Sequence, residues 1–246
     1  MEETIMNKDT VEKMIKLKMP GMVAAYKEQE EQPNINELTF EQRLTLLIDA
    51  EIDSRHNHMI ERLTNNAKLS DKGACIEGIK YYTDRKLNKE AIEKLSKNEY
   101  IKNGENIILV GATGTGKSYI ACALGNSACQ AGIKVSYVRL PDLLSELALG
   151  REQGNYKRIL QRYEKADLLI LDEWLLIPAN DRSQQDILEI IERRYKNKGT
   201  IFCSQFAPES WHKRLGGGAL ADAILDRILS RSKTITIQGD KSMRSR

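Results

Sequence analysis

The stretch GATGTGKS, residues 111–118, directly follows the apolar run Ile107–Val110 and directly precedes a segment rich in Ala and Leu. It fits G-x-x-x-x-G-K-[ST] at every position, and that spacing has a physical reason. A glycine-rich turn after a strand points successive backbone N–H groups inward and makes a nest for a polyphosphate. The helix that starts there adds the positive end of its dipole. Lys117 then reaches the β- and γ-phosphates as a point charge, and the hydroxyl of Ser118 is placed to ligate Mg²⁺. The expected nucleotide-binding set is Gly111, Ala112, Thr113, Gly114, Thr115, Gly116, Lys117, Ser118 and Tyr119. A chain with this feature is committed to a strand–loop–helix unit, and so to an α/β fold.

The pattern downstream agrees. Apolar runs at 107–110, 135–140, 167–172, 200–206 and 233–237 read as strands. Between them, helices are expected at 117–131, at 142–165 with a break near Gly150 or Gly154, at 183–197, and at 208–230 with a break at Gly216–Gly218. Alternation of this kind predicts a five-stranded parallel sheet covered on both faces, with ligands at the carboxyl ends of its strands. The domain plan is a helical N-terminal domain over 1–66, a connector over 67–104 and an α/β core over 105–246. In the first part, Pro20-Gly21 divides two short helices. Thr39 with Gln42 forms a capping box ahead of a helix whose Phe40, Leu44, Leu47, Ile48 and Ile52 lie in one stripe.

Three further segments bear on the chemistry. DLLILDEW, 167–174, ends a buried strand in two carboxylates. Asp172 is the candidate support for Mg²⁺, and Glu173 can orient or deprotonate a water over the γ-phosphate. An Asp-Glu pair there points to hydrolysis. The strand TIFCSQF ends in Ser204-Gln205, where the amide of Gln205 can position the same water. In ALADAILDRILSR, Leu220, Ile224, Leu225 and Ile228 form a core-facing stripe. Arg227 falls off that stripe, with Arg231 about one turn later.

Charge is uneven. The first hundred residues hold 16 basic and 19 acidic side chains, against 22 and 16 in the remainder. The half with the phosphate loop is thus the basic half, which suits a polyanionic partner. Within it, Arg151, Lys157, Arg158 and Arg162 are interleaved with Tyr156 and Tyr163, a composition suited to phosphate contacts without base reading. Lys241, Arg244 and Arg246 add charge to the tail. The four cysteines form no CxxC pair, which fits a reduced cytoplasmic protein rather than a disulfide framework. No apolar run has the ~20 residues needed to span a bilayer, so no membrane partner is expected. His56-Asn57-His58 spells a nuclease motif, but side chains at i and i+2 of a helix diverge and cannot chelate one metal.

Taken together, GATGTGKS, LLILDE at 168–173, the SQ at 204–205 and LADAILDRI at 220–228 resemble the IstB-like transposition-helper ATPases of the AAA+ class, relatives of DnaC-like helicase loaders. The resemblance spans nearly the whole chain. It implies a P-loop AAA+ core without a sizeable lid behind a small all-α domain, and ATP and Mg²⁺ as cofactors. It also implies Asp172 and Glu173 as the Walker B acids, Gln205 at the sensor position and Arg227 at the arginine-finger position. The partners it implies are duplex DNA, a transposase and other copies of the chain in a ring or helical oligomer. The neighbouring alternatives are a helicase loader with the same chemistry, a small-molecule kinase and a nucleotide-held scaffold. The chain departs from the family pattern at Leu175, where glycine often follows the Walker B aromatic, and at Gln205, where loaders commonly have Asn.

Overall fold

The computed structural model describes residues 8–239, 241–243 and 245; Arg244 and Arg246 lie outside the described residues. The chain divides into two compact units, 1–62 and 63–246.

The first unit is helical. α1 spans Lys8–Lys16 and α2 spans Pro20–Glu31, and Pro20 takes the opening position of α2, where its missing N–H costs nothing. α3 starts at Phe40 and ends at Ala67. Its capping box is complete: Thr39 N donates to Gln42 Oε1 (2.8 Å) and Gln42 N donates to Thr39 Oγ1 (3.3 Å). The expected stripe is only partly used. Leu47 is buried, while Phe40, Leu44, Ile48 and Ile52 remain exposed. Glu51 instead turns inward, accepting from the backbone of Gly21 and Met22.

The second unit opens with α4 (Lys89–Ser96) and α5 (Glu99–Lys102), followed by β1 (Asn106–Val110) and α6 (Lys117–Gln130). Next come β2 (Val135–Arg139), α7 (Leu140–Glu152), α8 (Tyr156–Glu164), β3 (Leu168–Asp172) and α9 (Asp181–Arg194). It closes with β4 (Gly199–Ser204), α10 (Trp211–Arg214), α11 (Gly218–Leu229) and β5 (Ser232–Thr236). The five strands form one sheet in the order β2-β3-β4-β1-β5, and all four pairings are parallel. β1, β3 and β4 lie inside it and are almost wholly buried, as expected of strands covered on both faces.

The breaks follow local chemistry. The expected 142–165 helix divides at Gly154 (φ +71°), whereas Gly150 stays buried inside α7. α7 begins at Leu140, two residues early, because Pro141 fits a first helical turn. β4 ends at Ser204 rather than 206. The Ser204 hydroxyl accepts from Phe206 N (3.1 Å) and donates to Trp174 O (3.0 Å), turning the chain out of the sheet. Gly216, Gly217 and Gly218 all have positive φ and separate α10 from α11. Much of 67–104 is more than a connector. Leu69, Ala74, Ile79, Ile92, Leu95 and Tyr100 are buried, and Asn126 of α6 donates to the carbonyls of Lys72 and Ala74. The segment is therefore part of the second unit's core. Its apolar spacing is too irregular to show in sequence.

Two staples fix the sheet's surroundings. Trp174, Phe202 and Trp211 pack edge to face, with centroids 4.7 and 5.6 Å from Trp174. Arg194, buried at the end of α9, donates to the carbonyls of Tyr163, Ala166 and Gly199 and to Thr200 Oγ1. Its guanidinium meets only neutral acceptors there and ties α8, β3 and β4 together.

Candidate nucleotide site

The site is built at the carboxyl ends of β1, β4 and β3. Ser204 is its centre. Its carbonyl accepts from Gly111 N (3.2 Å), so β4 anchors the start of the phosphate loop, while its hydroxyl anchors the turn after β3.

In the loop, Gly114 (φ +83°) and Gly116 (φ +88°) adopt left-handed backbone that glycine takes without strain. Gly111 is needed for a different reason: a β-carbon there would lie 2.4 Å from Ile237 O. Thr115 closes the turn through its N and Oγ1, both donating to Ala112 O. Lys117, Ser118 and Tyr119 open α6, so their N–H groups have no intrahelical acceptor. The Lys117 ammonium is buried and donates to the carbonyls of Gly111 (2.6 Å) and Ala112 (2.8 Å). Burial lowers its pKa, opposed by the fields of Cys203 and Asp172. A cavity of about 390 Å³ opens over the loop, lined by Ser70, Asp71, Lys80, Lys117, Ser118 and Tyr119. Cradle, free helix N-terminus and inward lysine together suit a polyphosphate.

Asp172, at the end of β3, is buried. Its Oδ2 accepts from Tyr137 OH (2.7 Å) and its Oδ1 from Glu173 N (2.8 Å). Among the described residues no group of three acidic, His or Cys side chains could hold a metal alone. Ser118 and Asp172 supply two hard oxygen donors, the kind Mg²⁺ takes alongside phosphate oxygens and water. Glu173 is half-exposed with φ +53°, and its Oε2 accepts from Arg139 Nη2 at 2.9 Å. That carboxylate keeps the Arg139 guanidinium firmly protonated, raising its pKa. Gln205 is exposed just past β4, between the strands bearing the phosphate loop and the acids.

The remaining expected residues lie away from these strand ends. Arg227, late in α11, pairs with Glu192 of α9 and donates to Ala223 O (2.9 Å). It borders a small pocket with Asn106 and Thr200, residues at the amino ends of β1 and β4, opposite the phosphate loop. Arg231 donates to Asn103 O (2.8 Å).

The basic segment is corrected in part. Arg151 grips buried Asp186 with both terminal nitrogens and lies over the Tyr156 ring at 4.0 Å, so it is spent on structure. Arg162 is paired with Glu146 and Tyr163 OH. Lys157 and Arg158 are exposed, with no side-chain ion pair or hydrogen bond among the described residues, and Lys165 joins them.

Sequence reading missed four residues here: Tyr137, Arg139, Arg85 and Arg214. Arg85, buried, donates to Thr115 O (2.7 Å) and Lys80 O beneath the loop. None sits in a motif. Tyr137 and Arg139 meet the acids only because β2 pairs with β3, where Arg139 stands opposite Asp172.

Comparison with known proteins identifies the family. The insertion sequence ATP-binding protein y4pL of Sinorhizobium fredii is 34% identical over 96% of this chain and 96% of its own length. The ATP-binding protein of insertion sequence IS1162 from Pseudomonas fluorescens is 37% identical over 82% of this chain and 87% of its own. Among solved structures, the DnaC helicase loader superposes with a TM-score of 0.55 at 20% identity, over 67% of this chain and 97% of that one, which places the fold in the P-loop AAA+ class. A family model described as IstB-like ATP binding protein matches residues 12–246, and the chain belongs to that IstB-like family of insertion-sequence ATP-binding proteins.

Proposed function

We propose that this protein hydrolyses ATP, assembles with other copies of itself on duplex DNA in the cytoplasm, and there recruits or activates a transposase. The observation that carries the reading is the Asp172–Glu173 pair at the end of β3, one strand removed from the loop bearing Lys117 and Ser118. Insertion-sequence relatives at 34% and 37% identity favour a transposase over a replicative helicase as client.

The chemistry follows from the residues. The loop N–H groups and Lys117 hold the β- and γ-phosphates. Ser118 and Asp172 would hold Mg²⁺, which when bound would supply positive charge against the phosphoryl oxygens. Glu173, once free of Arg139, accepts a proton from the attacking water, and the Gln205 amide orients that water. Arg227 serves a neighbouring copy's nucleotide, because it lies by the amino ends of β1 and β4, at the opposite end of the sheet from its own phosphate loop. Lys157, Arg158 and Lys165 contact DNA phosphates.

The test is steady-state phosphate release with and without duplex DNA. Magnesium-dependent turnover that rises with DNA supports the reading. Nucleotide binding without turnover under any DNA condition would make the protein a scaffold held by nucleotide. An effect of the protein on a replicative helicase, and none on an insertion-sequence transposase, would move the client to replication.

A further inference from the structure

Leu175 is fully buried yet has φ +54°, and Glu173, two residues earlier, has φ +53°. In left-handed backbone a β-carbon crowds the following carbonyl, so a non-glycine residue persists there only where its surroundings over-determine it. Here the surroundings are specific. Arg214, at the end of α10, donates from Nε to Leu175 O and from Nη2 to Leu176 O, both at 2.6 Å. Its guanidinium lies 3.7 Å from the centroid of Phe206, the residue after Gln205. Its own carbonyl accepts from Ala179 N (2.8 Å), where the turn after β3 ends.

One side chain thus touches both loops that frame the site. The turn after β3 carries Glu173, and the turn after β4 carries Gln205. We infer that Arg214 is a positioning residue: it holds the Leu175–Leu176 turn in its left-handed form, so aiming Glu173, and fixes the Phe206 turn so that Gln205 faces the same water. The choice of arginine is physical. Two donors at fixed separation on one plane can span successive carbonyls while the face of that plane stacks on a ring, and a lysine ammonium cannot do all three. The arrangement also accounts for Leu175, which keeps a glycine-like conformation because Arg214 clamps the carbonyls around it.

The inference rests on the proposed role of Glu173, and the test separates the two. Arg214→Ala and Arg214→Lys are compared with wild type for kcat, for affinity toward a fluorescent ATP analogue, and for hydrogen exchange of the 173–177 peptide. Arg214→Ala should lower kcat at least tenfold, keep nucleotide affinity within about twofold, and speed exchange at 173–177 while the 106–118 peptides stay protected. Arg214→Lys should fall between. Melting curves establish that each variant folds; if the alanine variant does not, the lysine variant's kcat and exchange decide. Wild-type kcat with unchanged exchange at 173–177 overturns the inference, as does a uniform rise in exchange across the second unit. If wild type itself does not turn over, the hydrolysis reading fails, and the exchange experiment still decides whether Arg214 holds the turn.

Discussion

Arg139 donates to Glu173 at 2.9 Å across the β2–β3 edge of the sheet, turning the candidate base toward β2. Both partners are partly exposed, with side chains 47% and 32% accessible, so the pair is worth at most ~1 kcal/mol. A bond this weak can be given up at little cost, which would leave Glu173 free to turn away from β2. Arg139→Ala should therefore raise DNA-independent turnover by about two- to fivefold while leaving nucleotide affinity unchanged, measured by phosphate release and fluorescence titration. Lower turnover would show that Arg139 helps the reaction instead.

Replacing Glu173 by Gln keeps the shape and removes the base. ATP binding should survive and turnover should fall by ~10²–10⁴. A fall of less than about tenfold would mean that another group takes the proton.

Tyr137 donates to the acid expected to support Mg²⁺. Tyr137→Phe removes that hydrogen bond at a net cost of about 1 kcal/mol, and it frees Asp172 to rotate. The Mg²⁺ concentration giving half-maximal nucleotide binding should rise about three- to tenfold, with little change in magnesium-free affinity. An equal loss in both conditions would assign Tyr137 to packing alone.

Lys157, Arg158 and Lys165 are the exposed cations of the α8 region that make no ion pair among the described residues; Arg162 is exposed but paired with Glu146. Converting all three to Ala should weaken binding to every duplex alike. It should also reduce the slope of log K against log[salt] by about 0.9 for each DNA phosphate that is no longer neutralised. Arg151→Ala, by contrast, should lower the melting temperature, because it leaves buried Asp186 with the Tyr156 hydroxyl but without its positive partner.

Arg227 is tied to Glu192 within its own chain. If it serves a neighbour, a mixture of Arg227→Ala and Lys117→Ala should regain activity that neither has alone, since a finger supplied in trans is worth ~10³–10⁵ in rate. Assembly on DNA is measured in the same samples. An assembled, inactive mixture would confine Arg227 to its own subunit.

The parts of this site legible in sequence are those whose chemistry is contiguous. GATGTGKS writes its turn, its lysine and its helix start in eight residues, and DLLILDEW joins a buried strand to two acids in the same way. Tyr137, Arg139 and Arg214 were illegible because strand order and a tight turn, not spacing, bring them to Asp172, Glu173 and Leu175. Arg151 was misread because a basic residue beside aromatics looks the same whether it faces solvent or an aspartate 35 positions away. The stripe on α3 was legible as a pattern, yet periodicity cannot say whether anything covers it, and Phe40 is 80% exposed.

The lysine of the phosphate loop does not wait in water. Lys117 is held by the carbonyls of Gly111 and Ala112, so nucleotide capture is an exchange reaction in which phosphate oxygens must outcompete two good acceptors for one ammonium. The same two bonds, with the Thr115–Ala112 turn, brace the loop from within. What the lysine would contribute to a phosphate ligand is therefore the difference between the carbonyl bonds surrendered and the phosphate bonds formed.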